Sequence, residues 1–291
     1  MADRPLPELP IAVFDSGVGG LTVLHKCLVS LPHEDFVYLG DTARFPYGRR
    51  SQGELRGFAL ELAELLLAEG AKLLVVACNS AAAAAVGALR ERLAGRVGVV
   101  AVVGPESRLA ARATRNGRVG LLATLATVAS AAYDRALAAE APAATLESVA
   151  APELAPLIQT GGEIDALVVD CVERVWAPLR AAGVDTVILG CTHYPLLRPI
   201  LQRTLGRGVE TVTSGGAIAD EVERELRARC LGRPESRRGS CRFLCSGDPE
   251  AFRRVGTRFL QLPLREVHHV EVASAGRDDA HEATRSRRAA A

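Results

Sequence analysis

The chain has 291 residues, 48% hydrophobic and 24% charged, with a formal charge of +1. That size and balance suit a globular protein of one large or two modest domains. The near-zero charge supplies no field that would gather nucleic acid or an anionic membrane surface. Its start, MADRPLPELP, holds no apolar core of signal-peptide length, and apolar runs such as residues 97–103 are too short for a bilayer span. Seven cysteines, an odd number without a secretion signal, are expected to stay reduced, which points to the cytoplasm.

Ile11–Phe14 is the first short β-branched run, and it ends in Asp15-Ser16-Gly17 and Val18-Gly19-Gly20. These glycines permit a tight turn into a helix whose N–H groups can face an anion. A strand-to-helix turn needs glycine in any case, and the spacing is not that of a dinucleotide fingerprint. Phe36–Leu39 leads to Asp41-Thr42 and Phe45-Pro46-Tyr47-Gly48. Ser51 and Glu54 then form a capping box opening a helix with Leu55, Phe58, Leu62, Leu65 and Leu66 on one stripe. Leu73–Ala77 leads into Cys78-Asn79-Ser80, and Val97–Val102 is a fourth run. Val119–Leu122 precedes Thr124–Thr127, and Thr186–Leu189 leads into Cys191-Thr192-His193. None of these runs alternates with period two, so they read as strands covered on both faces. Interleaved with helices, they predict an α/β fold of mainly parallel sheets flanked by helices. From Ala273 onward no apolar periodicity remains, and this tail is expected to be disordered.

Two halves repeat one plan, an apolar strand ending in a cysteine and then polar side chains, with 191 − 78 = 113 residues between the cysteines. Ligands of open α/β sheets bind beyond the carboxyl ends of the strands, so Cys78 and Cys191 stand where chemistry is expected, one per half. Their polar neighbours are expected to expose each thiol and depress its pKa. Cys27 and Cys171 read instead as small buried hydrophobes. Cys191 and His193 would also suit acyl transfer, as nucleophile and base, but that leaves Cys78 without a task. Two facing thiols fit the removal of a proton from one face of a carbon and its return to the other. Cys230, Cys241 and Cys245, with His268 or His269, match no standard ligand spacing, so no metal is expected. Pyridoxal phosphate needs a lysine, yet Lys26 falls inside a helix and Lys72 at the start of a strand, and no cofactor is expected. A thiol- or metal-based sensor is the reading of a different class, against which colourless, metal-free protein would count.

DSGVGGLTVL, YLGDTARFPYG, ACNSAAA, GLLATLATVASAAY and LGCTHYPLL, in this order and spacing, closely resemble the glutamate racemases of the aspartate/glutamate racemase superfamily. The likeness runs from about Ile11 to Val272 and includes Cys245-Ser246-Gly247-Asp248-Pro249. It implies two pseudo-symmetric α/β domains with the active site in the cleft between them. One would be residues 1–102 with 214–272, carrying Asp15 and Cys78; the other would be 103–213, carrying Thr127 and Cys191. It also implies interconversion of L- and D-glutamate without a cofactor, Cys78 acting on the D enantiomer and Cys191 on the L. Asp15 would assist the first thiol and His193 the second. Together with these two, Ser16, Tyr47, Gly48, Asn79, Ser80, Thr127 and Thr192 would hold the substrate's carboxylates and ammonium. Neutral donors bind carboxylates without adding a base that competes for the α-proton. D-Glutamate is a peptidoglycan building block, so the resemblance implies a role in the bacterial cell wall; homodimers are frequent in the family. Three positions depart from its pattern: Ser80 for a usual Thr, Ala151-Pro152 for a common Cys-Pro, and Gln159 for a frequent Glu. An aspartate racemase of the same superfamily would differ in pocket depth.

Overall fold

The computed structural model describes residues 6–160, 166–206, 208–234 and 237–273. Its strands are β1 (Ile11–Asp15), β2 (Phe36–Gly40), β3 (Leu73–Val76), β4 (Gly98–Ala101), β5 (Arg118–Ala123), β6 (Thr145–Ala150), β7 (Thr186–Gly190), β8 (Glu210–Val212), β9 (Cys241–Cys245) and β10 (Val267–His269). They form two sheets, one of six strands in the order β10-β9-β2-β1-β3-β4 and one of four in the order β6-β5-β7-β8. Every pairing is parallel.

Helices connect them: α1 (Leu21–Ser30), α2 (Gln52–Ala68), α3 (Asn79–Arg92), α4 (Val103–Ala113), α5 (Leu125–Ala129), α6 (Ala132–Glu140), α7 (Leu154–Gln159), α8 (Ala166–Ala181), α9 (Arg198–Leu205), α10 (Ser214–Ala228) and α11 (Pro249–Leu260). Around the larger sheet α2 packs against α3, while α1 packs against α10 and α11. Strands β1, β2, β3 and β7 are buried at every residue, which is why their sequences run apolar without alternation. The capping box predicted at Ser51 is present, with Ser51 Oγ accepting from the Glu54 N–H at 3.2 Å and Glu54 Oε2 from the Ser51 N–H at 2.9 Å.

Six predicted strands appear with ends shifted by a residue or so, Val97–Val102 narrowing to Gly98–Ala101. Of the other four strands, β6, β8 and β10 were not predicted. Strand β6 (TLESVA) is an edge strand with no fully buried residue, and β8 has only three residues, so neither carries an apolar signature. The predicted tail is described only at Ala273, whose N–H donates to Glu61 Oε1 at 2.6 Å; residues 274–291 lie outside the described residues. Among the described residues no helix is long and apolar enough to cross a membrane.

The strand orders locate the chemistry. From β1 the chain moves outward to β2, then returns to place β3 on the other side of β1. In the second sheet β5 is followed by β6 on one side and by β7 on the other. Each reversal leaves a crevice at the carboxyl end of the sheet, the usual ligand position of such folds. Asp15 and Cys78 flank the first reversal; Thr124 and Cys191 flank the second.

Candidate active site

Both crevices open into one cleft. Ser16, Tyr47, Gly48, Cys78, Asn79 and Ser80 line it from the side of the six-stranded sheet, and Thr124, Cys191, Thr192 and His193 from the side of the four-stranded sheet. Cys78 is the N-cap residue of α3, so the turn that ends β3 aims a thiol at the cleft while Asn79 and Ser80 begin the helix. Cys191 directly follows β7, two residues before His193 caps a short 3-10 helix at Tyr194–Leu197.

Here the structure corrects the sequence reading. The thiols are almost sealed, at 4% and 6% exposure, and neither pKa is depressed. Burial pushes Cys78 up to about 12, reinforced by the negative charge of Asp15, and the hydrogen bonds from Ser16 and the Ala81 backbone do not offset it. Burial drives Cys191 upward as well. Desolvation of the thiolate outweighs the polar neighbours, so burial favours the neutral thiol at both positions.

Asp15 is fully buried at the end of β1, where Oδ2 accepts from the Gly17 N–H at 3.0 Å. Its Oδ1 accepts from Thr192 Oγ1 at 3.2 Å, a bond between the two halves of the cleft. Burial raises its carboxyl to about 6 despite these donors. His193 Nδ1 lies 3.9 Å from Cys191 Sγ, and Nε2 lies 2.9 Å from Gln159 Oε1. An amide oxygen only accepts, so Nε2 carries the proton and Nδ1 turns a free lone pair toward the thiol. Phe45 and Phe259 stack within 5.5 Å and 5.2 Å of the ring. Burial lowers its pKa to about 3, and the imidazole is neutral.

The first glycine loop makes this contact possible. A Cβ on Gly19 would sit 2.4 Å from His193 Nδ1 and 2.4 Å from Thr192 Oγ1. The glycine therefore serves close approach of the opposite cysteine segment rather than merely a turn.

Hydroxyls and amides fill the floor. Ser80 Oγ lies 2.8 Å from Thr124 Oγ1 and 3.2 Å from Thr127 Oγ1, and the two threonine hydroxyls are 3.0 Å apart. Thr124, which also caps α5, lines the cleft, while the predicted Thr127 lies behind it. The Tyr47 hydroxyl donates to buried Asp41, which also accepts from Ser246 Oγ at 2.6 Å and Arg44 Nε at 2.6 Å. That phenol proton is therefore committed away from the cleft. Asn79 donates from Nδ2 to Glu106 Oε2 at 3.0 Å and to the Tyr133 hydroxyl at 2.7 Å, while its Oδ1 is buried without a partner.

Sequence reasoning missed Thr124, Arg49 at the exposed rim of the cleft, Glu106 and Asp41. Thr124 and Asp41 offered a signal, each standing two residues after a predicted strand. The lysines lie elsewhere: Lys26 is on α1, and Lys72 Nζ bonds Glu34 at 2.5 Å and the carbonyls of Pro7 and Leu231. Among the described residues no three His, Cys, Asp or Glu side chains converge on a metal position; Cys230 is exposed at the end of α10.

The Asp/Glu/Hydantoin racemase family matches residues 22–222. The glutamate racemase of Beutenbergia cavernae is 45% identical over 273 residues, covering 90% of this chain and 93% of the relative. Among solved structures, the glutamate racemase isoform RacE1 from Bacillus anthracis superposes with a TM-score of 0.87 at 36% identity, covering 91% of this chain and 98% of that one. The glutamate racemase of Francisella tularensis in complex with D-glutamate gives 0.84 at 29% identity, covering 92% and 99%. By sequence and by fold, this chain belongs to the glutamate racemases, a family of isomerases.

Proposed function

We propose that the protein interconverts L- and D-glutamate with two thiols and no cofactor, supplying D-glutamate for peptidoglycan in the cytoplasm. The observation that carries this reading is that both strand-end cysteines, one from each sheet, line a single cleft. Residues 1–102 with 214–272 and residues 103–213 are read as the two domains that meet there. For D-glutamate, a Cys78 thiolate takes the α-proton and becomes a thiol, and the Cys191 thiol delivers its proton to the opposite face and becomes a thiolate. The reverse direction exchanges the roles, so each turnover leaves the pair ready for the other enantiomer.

Burial favours the neutral thiols at rest, so the base must be generated when substrate binds. Asp15, poised near 6, accepts the proton of Cys78; neutral His193 offers Nδ1 to the Cys191 proton. The substrate's ammonium, brought into a dry site, favours the thiolate there. The hydroxyls of Ser16, Ser80 and Thr124, with the backbone at Tyr47, Gly48 and Thr192, hold the carboxylates, and Thr127 supports Thr124 from behind. The unpartnered Oδ1 of Asn79 is suited to the ammonium.

The test is racemisation of L-glutamate and of L-aspartate by exhaustively dialysed protein. Activity is expected with glutamate, undiminished by dialysis and with a much lower rate on aspartate. Activity that vanishes on dialysis and returns with pyridoxal phosphate or a metal ion would overturn the reading.

A further inference from the structure

We infer that Glu106 is a positioning residue for substrate binding: from the crossing between the two sheets it fixes the side-chain amide of Asn79 so that Oδ1, not Nδ2, faces the substrate. Glu106 lies on α4, the helix by which the chain leaves β4 for β5, and its side chain is fully buried. Three donors converge on its carboxylate. Asn79 Nδ2 reaches Oε2 at 3.0 Å from the start of α3, the Tyr133 hydroxyl donates to the same oxygen from α6, and Ser214 Oγ reaches Oε1 at 2.5 Å from the start of α10. The proposal rests on the assignment of Asn79 to the ammonium of glutamate.

Chemistry sets the direction of every bond in this network. Asn79 Nδ2, the Tyr133 hydroxyl and Ser214 Oγ all point at the two Glu106 oxygens, so the amide presents its NH2 and not its oxygen to Glu106. Tyr133 donates its one proton to Glu106 and accepts the second Nδ2 hydrogen on its oxygen, at 2.7 Å. Both amide protons are thereby consumed, and the buried Oδ1 is left with no partner on a residue that lines the cleft. A buried orphan acceptor is costly unless a ligand satisfies it. Of the groups on glutamate, only the ammonium can donate to it. Without the carboxylate the amide is free to turn over and would present NH2 to a cation. Glu106 touches neither substrate nor thiol; it acts through Asn79.

Calorimetric binding of D-glutamate to the wild type, Glu106→Gln, Asn79→Ala and the double variant tests this. Glu106→Gln is expected to weaken glutamate about tenfold, the scale of one hydrogen bond to a charged group. It should leave the inhibition constant of glutarate, which keeps both carboxylates but lacks the ammonium, within about twofold. Added to Asn79→Ala, it should cost less than about twofold more, because coupled residues do not add. Tyr133→Phe, which keeps Glu106 and removes one acceptor of Nδ2, should weaken glutamate about threefold by the same Asn79-dependent route. Effects that multiply in the double variant, or equal weakening of glutarate and glutamate, would overturn the proposal. An Asn79→Ala protein that binds glutamate as tightly as the wild type would instead overturn the assignment of Asn79 itself.

Discussion

Acid should destabilise this fold through His193 by an amount that can be worked out. The folded-state pKa of the buried ring is lowered from 6.5 to about 3. Below 6.5 the unfolded chain takes up a proton that the folded protein refuses, so stability is lost as pH falls and the loss saturates near 3. Between pH 7 and pH 5 this linkage removes about 2 kcal/mol, obtained from the two pKa values with 1.36 kcal/mol per unit. Asp15 and Glu106, whose carboxyls are raised to about 6 and about 7, act in the opposite sense, destabilising as they ionise with rising pH. A difference measurement removes them. Urea unfolding of the wild type and of His193→Asn at pH 7 and pH 5 should give stability losses that differ by about 2 kcal/mol, the wild type losing more. Parallel pH dependence of the two proteins would show that the ring protonates freely in the fold, and would refute the neutral, desolvated His193.

Gln159→Glu should raise the pKa of His193 from about 3 toward the ordinary imidazole range, because a carboxylate about 4 Å away supplies about 4 kcal/mol at an effective dielectric constant of 20. Nitrogen NMR of the ring would follow it, and a value that stays below about 4 would contradict the hydrogen-bond assignment. The variant should also lose L-to-D turnover as pH falls through the new pKa, since a protonated ring cannot accept from Cys191. Gly19→Ala should cost about 1–3 kcal/mol and lower kcat/KM by at least about tenfold, by forcing His193 and Thr192 away. Gly57→Ala on α2, with nothing within 4 Å of the added methyl, should instead be neutral or stabilising by up to about 1 kcal/mol. Melting temperatures and steady-state kinetics of the pair check the contrast, and equal effects would remove the argument for close approach.

The fold and the cleft were legible where burial and chemistry coincide in short sequence runs. Strands covered on both faces read as unbroken apolar stretches, and the reactive residues follow them directly, so Asp15, Cys78 and Cys191 could be placed at strand ends from the chain alone. Edge strand β6 escaped because exposed Glu147 and half-buried Ser148 dilute its pattern. Glu106 escaped for a different reason: a lone acid beside Pro105 gives no hint that three donors from α3, α6 and α10 will meet it. The thiol pKa values were read in the wrong direction because polar neighbours are visible in sequence while the desolvation that outweighs them arises only on packing. Gln159 was visible as a departure, but its contact with His193 spans 34 residues and needed the fold.

The central claim is that each face of the α-carbon is served by its own thiol, and the most direct test is racemisation by Cys191→Ala protein in D2O. Starting from D-glutamate, the wild type should yield L-glutamate carrying deuterium at Cα, because the second thiol delivers a solvent-exchanged proton. The variant keeps Cys78 but has no acid on the opposite face, and L-glutamate formation should fall by about 10³-fold or more, the upper scale for loss of a general acid. L-Glutamate formed by this variant within about tenfold of the wild-type rate would contradict the two-thiol account, leaving His193 or a lone Cys78 as the group that serves both faces.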